Sequence, residues 1–156
     1  MLDLGCWPGG WLEVLASRLG PQARIVGVDL EPTEPIAPNV VILALDMCAP
    51  EALPAIRAAL GRPADAVLCD ASPKLTGIRD ADLARLEEIH LAALGLAEAL
   101  LGPRGFLVVK GFPGQESDLF RKELRRRFAS VHEVRPEGKR TTSKEFYWLG
   151  SQAKPR

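Results

Sequence analysis

Three residues stand where apolar runs pass into loops, and their types suit acid–base or electrostatic work. Asp70 follows Val67-Leu68-Cys69, Lys110 closes Phe106-Leu107-Val108-Val109, and Glu145 opens Glu145-Phe146-Tyr147-Trp148. An ammonium at the end of a buried strand is costly unless a counter-charge meets it. Lys110 is therefore read as sharing a cleft with Asp70 and Glu145; the alternative is a stem that snorkels its head to water. A second group lies nearer the start. The run Asp3-Leu4-Gly5-Cys6-Trp7-Pro8-Gly9-Gly10-Trp11 sets glycines after a first strand. There backbone can approach a ligand, and the following helix offers free N–H groups. Asp29, in Gly27-Val28-Asp29-Leu30, could accept hydrogen bonds from both hydroxyls of a ribose. Asp46, in Leu45-Asp46-Met47, could accept one from an adenine amino group. A capping or turn role would explain either aspartate alone. Pro8 breaks the G-x-G-x-x-G spacing, which weakens a nicotinamide dinucleotide reading.

These residues need a scaffold that brings strand ends together, and the chain alternates accordingly. Short strands are expected at residues 2–4, 24–30, 40–45, 66–69 and 105–110, with helices at 11–19, 50–60, 80–101 and 117–128 between them. The pattern predicts an α/β protein whose mostly parallel, doubly wound sheet carries helices on both faces. The last two strands, 131–134 and 146–149, have no helix between them and read as an antiparallel C-terminal edge. Ligands of such sheets bind beyond the carboxyl ends of the strands, where every residue named above falls.

Composition narrows the partners. The 156 residues are 47% hydrophobic and 26% charged, which excludes a disordered or fibrous chain. No apolar run approaches the roughly 18 residues of a membrane span, and no basic region precedes the first apolar residues, so a cytoplasmic protein is expected. Cys6, Cys48 and Cys69 stand singly, which fits buried thiols better than a disulfide framework or a metal site; no metal is expected. The net charge is zero but unevenly spread. Residues 1–100 hold seven Lys/Arg against fourteen Asp/Glu, and residues 101–156 hold thirteen against six. A net −7 followed by a net +7 can give a neutral protein a basic face for phosphates, or be a solvated helix surface. The basic residues form two runs. Arg121, Lys122, Arg125 and Arg126 share a helix whose Leu119, Phe120, Leu124 and Phe128 are expected to face the sheet, and Lys139, Arg140 and Lys144 lead into Glu145.

Taken in order, D-L-G-C-W-P-G-G-W, G-V-D-L-E-P, L-D-M, L-C-D-A-S-P, F-L-V-V-K-G-F and S-K-E-F-Y resemble the FtsJ/RrmJ family of ribose 2'-O RNA methyltransferases, from Asp3 to about Leu149. The resemblance implies a Rossmann-like methyltransferase fold and S-adenosylmethionine as cofactor, without a metal. It implies cofactor contacts from Gly5, Cys6, Pro8, Gly9, Gly10, Trp11, Asp29, Leu30, Asp46, Met47 and Asp70. The family's catalytic set is Lys-Asp-Lys-Glu, and Asp70, Lys110 and Glu145 match its last three members. Its first lysine lies in an N-terminal helix, so residues 1–156 read as one methyltransferase domain, a monomer, lacking that helix. Large-subunit rRNA, at a uridine, is the implied substrate; tRNA is an alternative. An RNA-binding domain with impaired catalysis, a small-molecule O-methyltransferase and an amino-methylating enzyme are the other readings. The small-molecule enzyme would leave the basic third unused, and the amino-methylating one lacks its signature aromatic, Lys74 standing in its place. His90 and His132 read as incidental.

Overall fold

The computed structural model describes residues 1–136 and 146–155, with Gln115 and Glu116 described by their backbone alone. Seven strands form one sheet: β1 (Leu2–Leu4), β2 (Ile25–Asp29), β3 (Val40–Ala44), β4 (Ala64–Cys69), β5 (Leu101–Gly111), β6 (Phe128–Val134) and β7 (Phe146–Ala153). The helices are α1 (Gly10–Leu19), α2 (Ala52–Leu60), α3 (Arg79–Leu100) and α4 (Gln115–Arg127). The strand order is β3-β2-β1-β4-β5-β7-β6. The first five strands pair in parallel, and β7 runs antiparallel to both its neighbours. The expected doubly wound sheet with an antiparallel C-terminal edge is therefore present. One detail differs from a simple hairpin added at the rim: β7 inserts between β5 and β6, so β6 is the outer strand.

Two further expectations need correction. The long helix ends at Leu100, and Leu101-Gly102-Pro103 begin β5 rather than stopping the helix; the register shift between Ala64 and Ala66 accommodates that irregular start. In α4, Phe120 and Leu124 are buried as expected; Phe128 is buried too, but as the first residue of β6 rather than the last of the helix, and Leu119 is 60% exposed. The 3.6-residue period puts Phe120 and Leu124 on one stripe and turns their neighbour Leu119 away from it.

The order reverses direction between β1 and β4, which creates a crevice at their carboxyl ends. Burial alternates along the strands that flank it. Leu2 and Leu4 join Val67, Cys69, Leu107 and Val109 in the large core beneath α2, α3 and α4. Their alternates Asp3, Val108 and Lys110 leave the sheet on the other face, that of α1. There a smaller core of Cys6, Leu12 and Ile25 seats α1 on β2. Gly27 makes that seating possible, because a Cβ built there would lie 2.8 Å from Leu12 Cδ1 and 2.9 Å from Cys6 Sγ. Among the described residues, no helix is long and apolar enough to cross a membrane.

Candidate active site

The crevice begins with β1, whose last residues run into a tight turn. Gly5 takes φ +79°, and a side chain there would meet the backbone of Ala71 at 2.6 Å. Only glycine combines that conformation with that contact. Its N–H and that of Cys6 both donate to Val28 O, at 2.8 and 3.2 Å, which pulls the loop onto β2. The turn ends at α1, whose first residue is Gly10.

The aspartates close the next strands. Asp29 accepts the N–H of Trp7 on Oδ2 at 2.9 Å and that of Glu31 on Oδ1 at 3.0 Å, so it ties the first loop to the second. Asp46 accepts the Cys48 N–H at 2.9 Å and the Arg85 guanidinium at 3.3 Å. The Cys48 bond, followed by Arg85, holds the Asp46 carboxyl below the usual carboxylate range. Neither aspartate caps a helix, since β3 follows Asp29 and α2 begins after Glu51, but each does serve a turn by accepting the N–H two residues on. Both line one cleft of about 570 Å3, with Gly5, Trp7, Leu30, Met47 and Asp70 among the other walls. That volume is in the range of small-molecule sites. Cys6, Pro8, Gly9, Gly10 and Trp11 are not among its walls; Cys6 is buried, and burial pushes its thiol up to about 11. Lys74 spans the cleft to Glu31 at 2.8 Å, and each side chain holds the other in its charged form.

At one end of the cleft, β4 and β5 deliver Asp70 and Lys110 to each other. Lys110 Nζ lies 3.2 Å from Asp70 Oδ1 and also donates to Asp70 O and Ser72 Oγ, each at 3.2 Å. The two side chains are 13% and 29% exposed, so this ammonium is held by protein acceptors rather than snorkelled into water. Tyr147, opposite Lys110 on β7, donates its O–H to the same Asp70 Oδ1 at 2.9 Å. Its ring packs against Trp11 of α1, centroids 5.7 Å apart, which ties the glycine-rich loop to the Lys110–Asp70 pair. Phe112 lies 5.9 Å from Lys110 Nζ.

Asp3 adds a fourth aspartate. It is fully buried, and among the described residues neither of its oxygens has a hydrogen-bond partner. Burial, then the charges of Asp70 and Asp29, push its pKa up to about 7.

Glu145, Lys139, Arg140 and Lys144 lie outside the described residues. On α4, Lys122, Arg125 and Arg126 are exposed, and the Arg121 guanidinium sits 5.7 Å from the Trp148 ring. Arg126 is paired with Glu123 at 2.8 Å. A larger groove, about 750 Å3, runs between α3 and α4, with Lys122 and Arg126 among its walls.

The model of the FtsJ-like methyltransferases matches residues 1–153. The chain belongs to that family. It is 42% identical to a ribosomal RNA large subunit methyltransferase E from Methanothrix thermoacetophila, over 97% of this chain and 58% of the relative. A similar protein from Anaeromyxobacter, of the same name, is 42% identical over 96% of this chain and 55% of its own length. This FtsJ-like chain thus spans just over half the length of these curated relatives. Among solved structures, a Plasmodium falciparum protein assigned as a ribosomal RNA methyltransferase superposes with a TM-score of 0.84 at 24% identity, over 99% of this chain and 86% of that one. The likeness establishes the Rossmann-like methyltransferase fold.

Sequence reasoning missed Tyr147, Ser72, Arg85 and His90. Tyr147 stands two residues after Glu145, and strand alternation alone could have flagged it. The Arg85–Asp46 bond spans 39 residues, and the His90–Lys110 bond spans 20. No local pattern announces them.

Proposed function

We propose that this FtsJ-like chain transfers the methyl group of S-adenosylmethionine to a ribose 2'-hydroxyl of RNA, in large-subunit rRNA at a uridine, acting in the cytoplasm as a monomer. The observation that carries this reading is the shielded Lys110–Asp70 pair, set at the end of a cleft that two strand-end aspartates also line. The donor set fits the cofactor: Asp29 for a ribose diol, Asp46 for an adenine amino group, and Leu30 and Met47 as apolar walls for the base. Residues 1–153 match a methyltransferase family, and relatives at about 40% identity carry the name of an rRNA methyltransferase.

When bound, the cofactor supplies an electrophilic methyl on a sulfonium, whose thioether leaves without an acid. The chain's own residues then have two tasks: to aim a hydroxyl and to remove its proton. Lys110 first gives its ammonium proton to solvent; its Nζ, then the free amine, receives the hydroxyl proton, and Asp70 holds Lys110 in place, with Tyr147 steadying the carboxylate from the other side. Glu145 completes the set as the resemblance implies. Lys122, Arg125 and Arg126 offer the RNA phosphates a cationic surface on α4, with the Arg121 guanidinium near the Trp148 ring.

The test is two measurements on the full chain. Calorimetry with S-adenosylhomocysteine should give one site, weakened by Asp29→Ala. Incubation with labelled cofactor and hypomethylated rRNA should place label on a single ribose, read by mapping 2'-O-methylation. A folded chain that binds no S-adenosylhomocysteine, or label found on a base, would overturn the reading.

A further inference from the structure

Lys110 pairs with Tyr147 of β7 on one side but sits one residue beyond the ladder to β4 on the other. The β4–β5 ladder ends with Cys69 opposite Val109, and the chain leaves the sheet at Asp70. Nothing in β4 therefore fixes the peptide that roots the Lys110 side chain. His90 of α3 reaches that peptide: its Nε2 lies 3.0 Å from Lys110 O. Because a carbonyl can only accept, Nε2 must carry the proton and donate. The imidazole is 6% exposed and stacks on Phe120 of α4, centroids 4.3 Å apart with the planes at 25°. Burial lowers its pKa, so the ring is the neutral donor. Three elements thus converge on one carbonyl: α3 supplies the donor, α4 clamps the ring, and β5 presents the acceptor.

We infer that His90 is a positioning residue for Lys110, holding from the β4 side the end of β5 that β7 pairs on the other, so that the ammonium meets Asp70. This rests on the proposed role of Lys110 in methyl transfer. Without that bond the peptide is held from the β7 side alone, and a displacement of about an ångström at a reacting group can cost on the order of 100-fold in rate. The loss should appear in turnover rather than in binding, because His90 is absent from the walls of the cleft.

His90→Leu and His90→Gln separate position from packing. The leucine keeps bulk and loses the donor, whereas the glutamine keeps an N–H of similar reach. In the full chain, His90→Leu should lower kcat for methyl transfer roughly 10- to 100-fold, with KM for rRNA and the Kd for S-adenosylhomocysteine within about twofold of wild type. His90→Gln should recover most of the loss. The carbonyl 13C resonance of Lys110 should move in the leucine variant and return in the glutamine one. In the wild-type protein, the imidazole 15N shifts should report a proton on Nε2. Equal turnover in His90→Leu, with Lys110→Ala inactive in parallel, would overturn the positioning role alone. Full activity of Lys110→Ala would overturn the reading of Lys110 and that of His90 with it. A proton on Nδ1 would remove the bond itself. If the leucine variant fails to fold, the imidazole shifts of the wild type and the turnover of the glutamine variant still decide.

Discussion

The buried residues around the crevice hold charges in unequal ways, and single substitutions should expose the difference. Lys110 makes three contacts to protein acceptors, and its replacement by alanine removes the proposed proton acceptor without touching the aspartates that would hold the cofactor. Turnover should fall at least about 100-fold while S-adenosylhomocysteine affinity stays near wild type; single-turnover transfer and calorimetry check the two halves. Lys110→Arg should fail nearly as badly, since a guanidinium does not give up its proton in the working range. Asp3 behaves oppositely, as a carboxyl without a partner among the described residues. Its folded-state pKa, about 7, lies above the ordinary value of 3.8, so the folded chain keeps a proton that the unfolded chain has lost. Stability from this group is full below about pH 4 and falls as pH rises toward 7, by a total on the order of 4 kcal/mol. Asp3→Asn should remove that decline and melt later than wild type at pH 8. Thermal melts of both proteins from pH 4 to 8 isolate the term by difference, and parallel curves would mean that Asp3 is ionised and paired.

Among the elements, α4 shows what a pattern can and cannot convey. Its period identified Phe120, Leu124 and Phe128 as core, and these are buried. It assigned Leu119 to the same face, although consecutive helical residues point about 100° apart and only one of the pair could go inward. Leu124→Ala should cost about 2–5 kcal/mol and Leu119→Ala less than about 0.5, read from urea denaturation. The same distinction runs through the site. The glycine-rich loop, Asp29, Asp46, Asp70 and Lys110 were legible because each closes an apolar run, and strand ends in this architecture converge. Tyr147, Arg85 and His90 were not, because their value depends on which strand lies beside which. The insertion of β7 between β5 and β6 is what puts Tyr147 opposite Lys110. No spacing in the chain encodes that insertion.

At the scale of the molecule, cations of the basic C-terminal third come together on one helix. Exposed Lys122, Arg125 and Arg126 gather on α4, while acids line the opposite rim of the α3–α4 groove at Asp80 and Glu87. Lys122 and Arg125 together replaced by alanine should weaken RNA binding and flatten the log Kd against log salt slope by roughly one unit per lost phosphate contact. Arg126, already paired with Glu123, should contribute less. Filter binding across a salt series measures both, and an unchanged slope would move the RNA surface off α4.

The place of β7 also sets the order in which this protein can become whole. Chains emerge from the ribosome N-terminus first, and their domains fold as units. Among the described strands, the last to be made is an interior one: until Phe146–Ala153 arrives, β5 keeps an open edge and β6 has no neighbour in the sheet. An unpaired edge carrying Phe106, Leu107, Val108 and Val109 is a template for pairing with other chains. The nascent protein therefore passes through a stage in which most of its core exists and its most adhesive strand is uncovered.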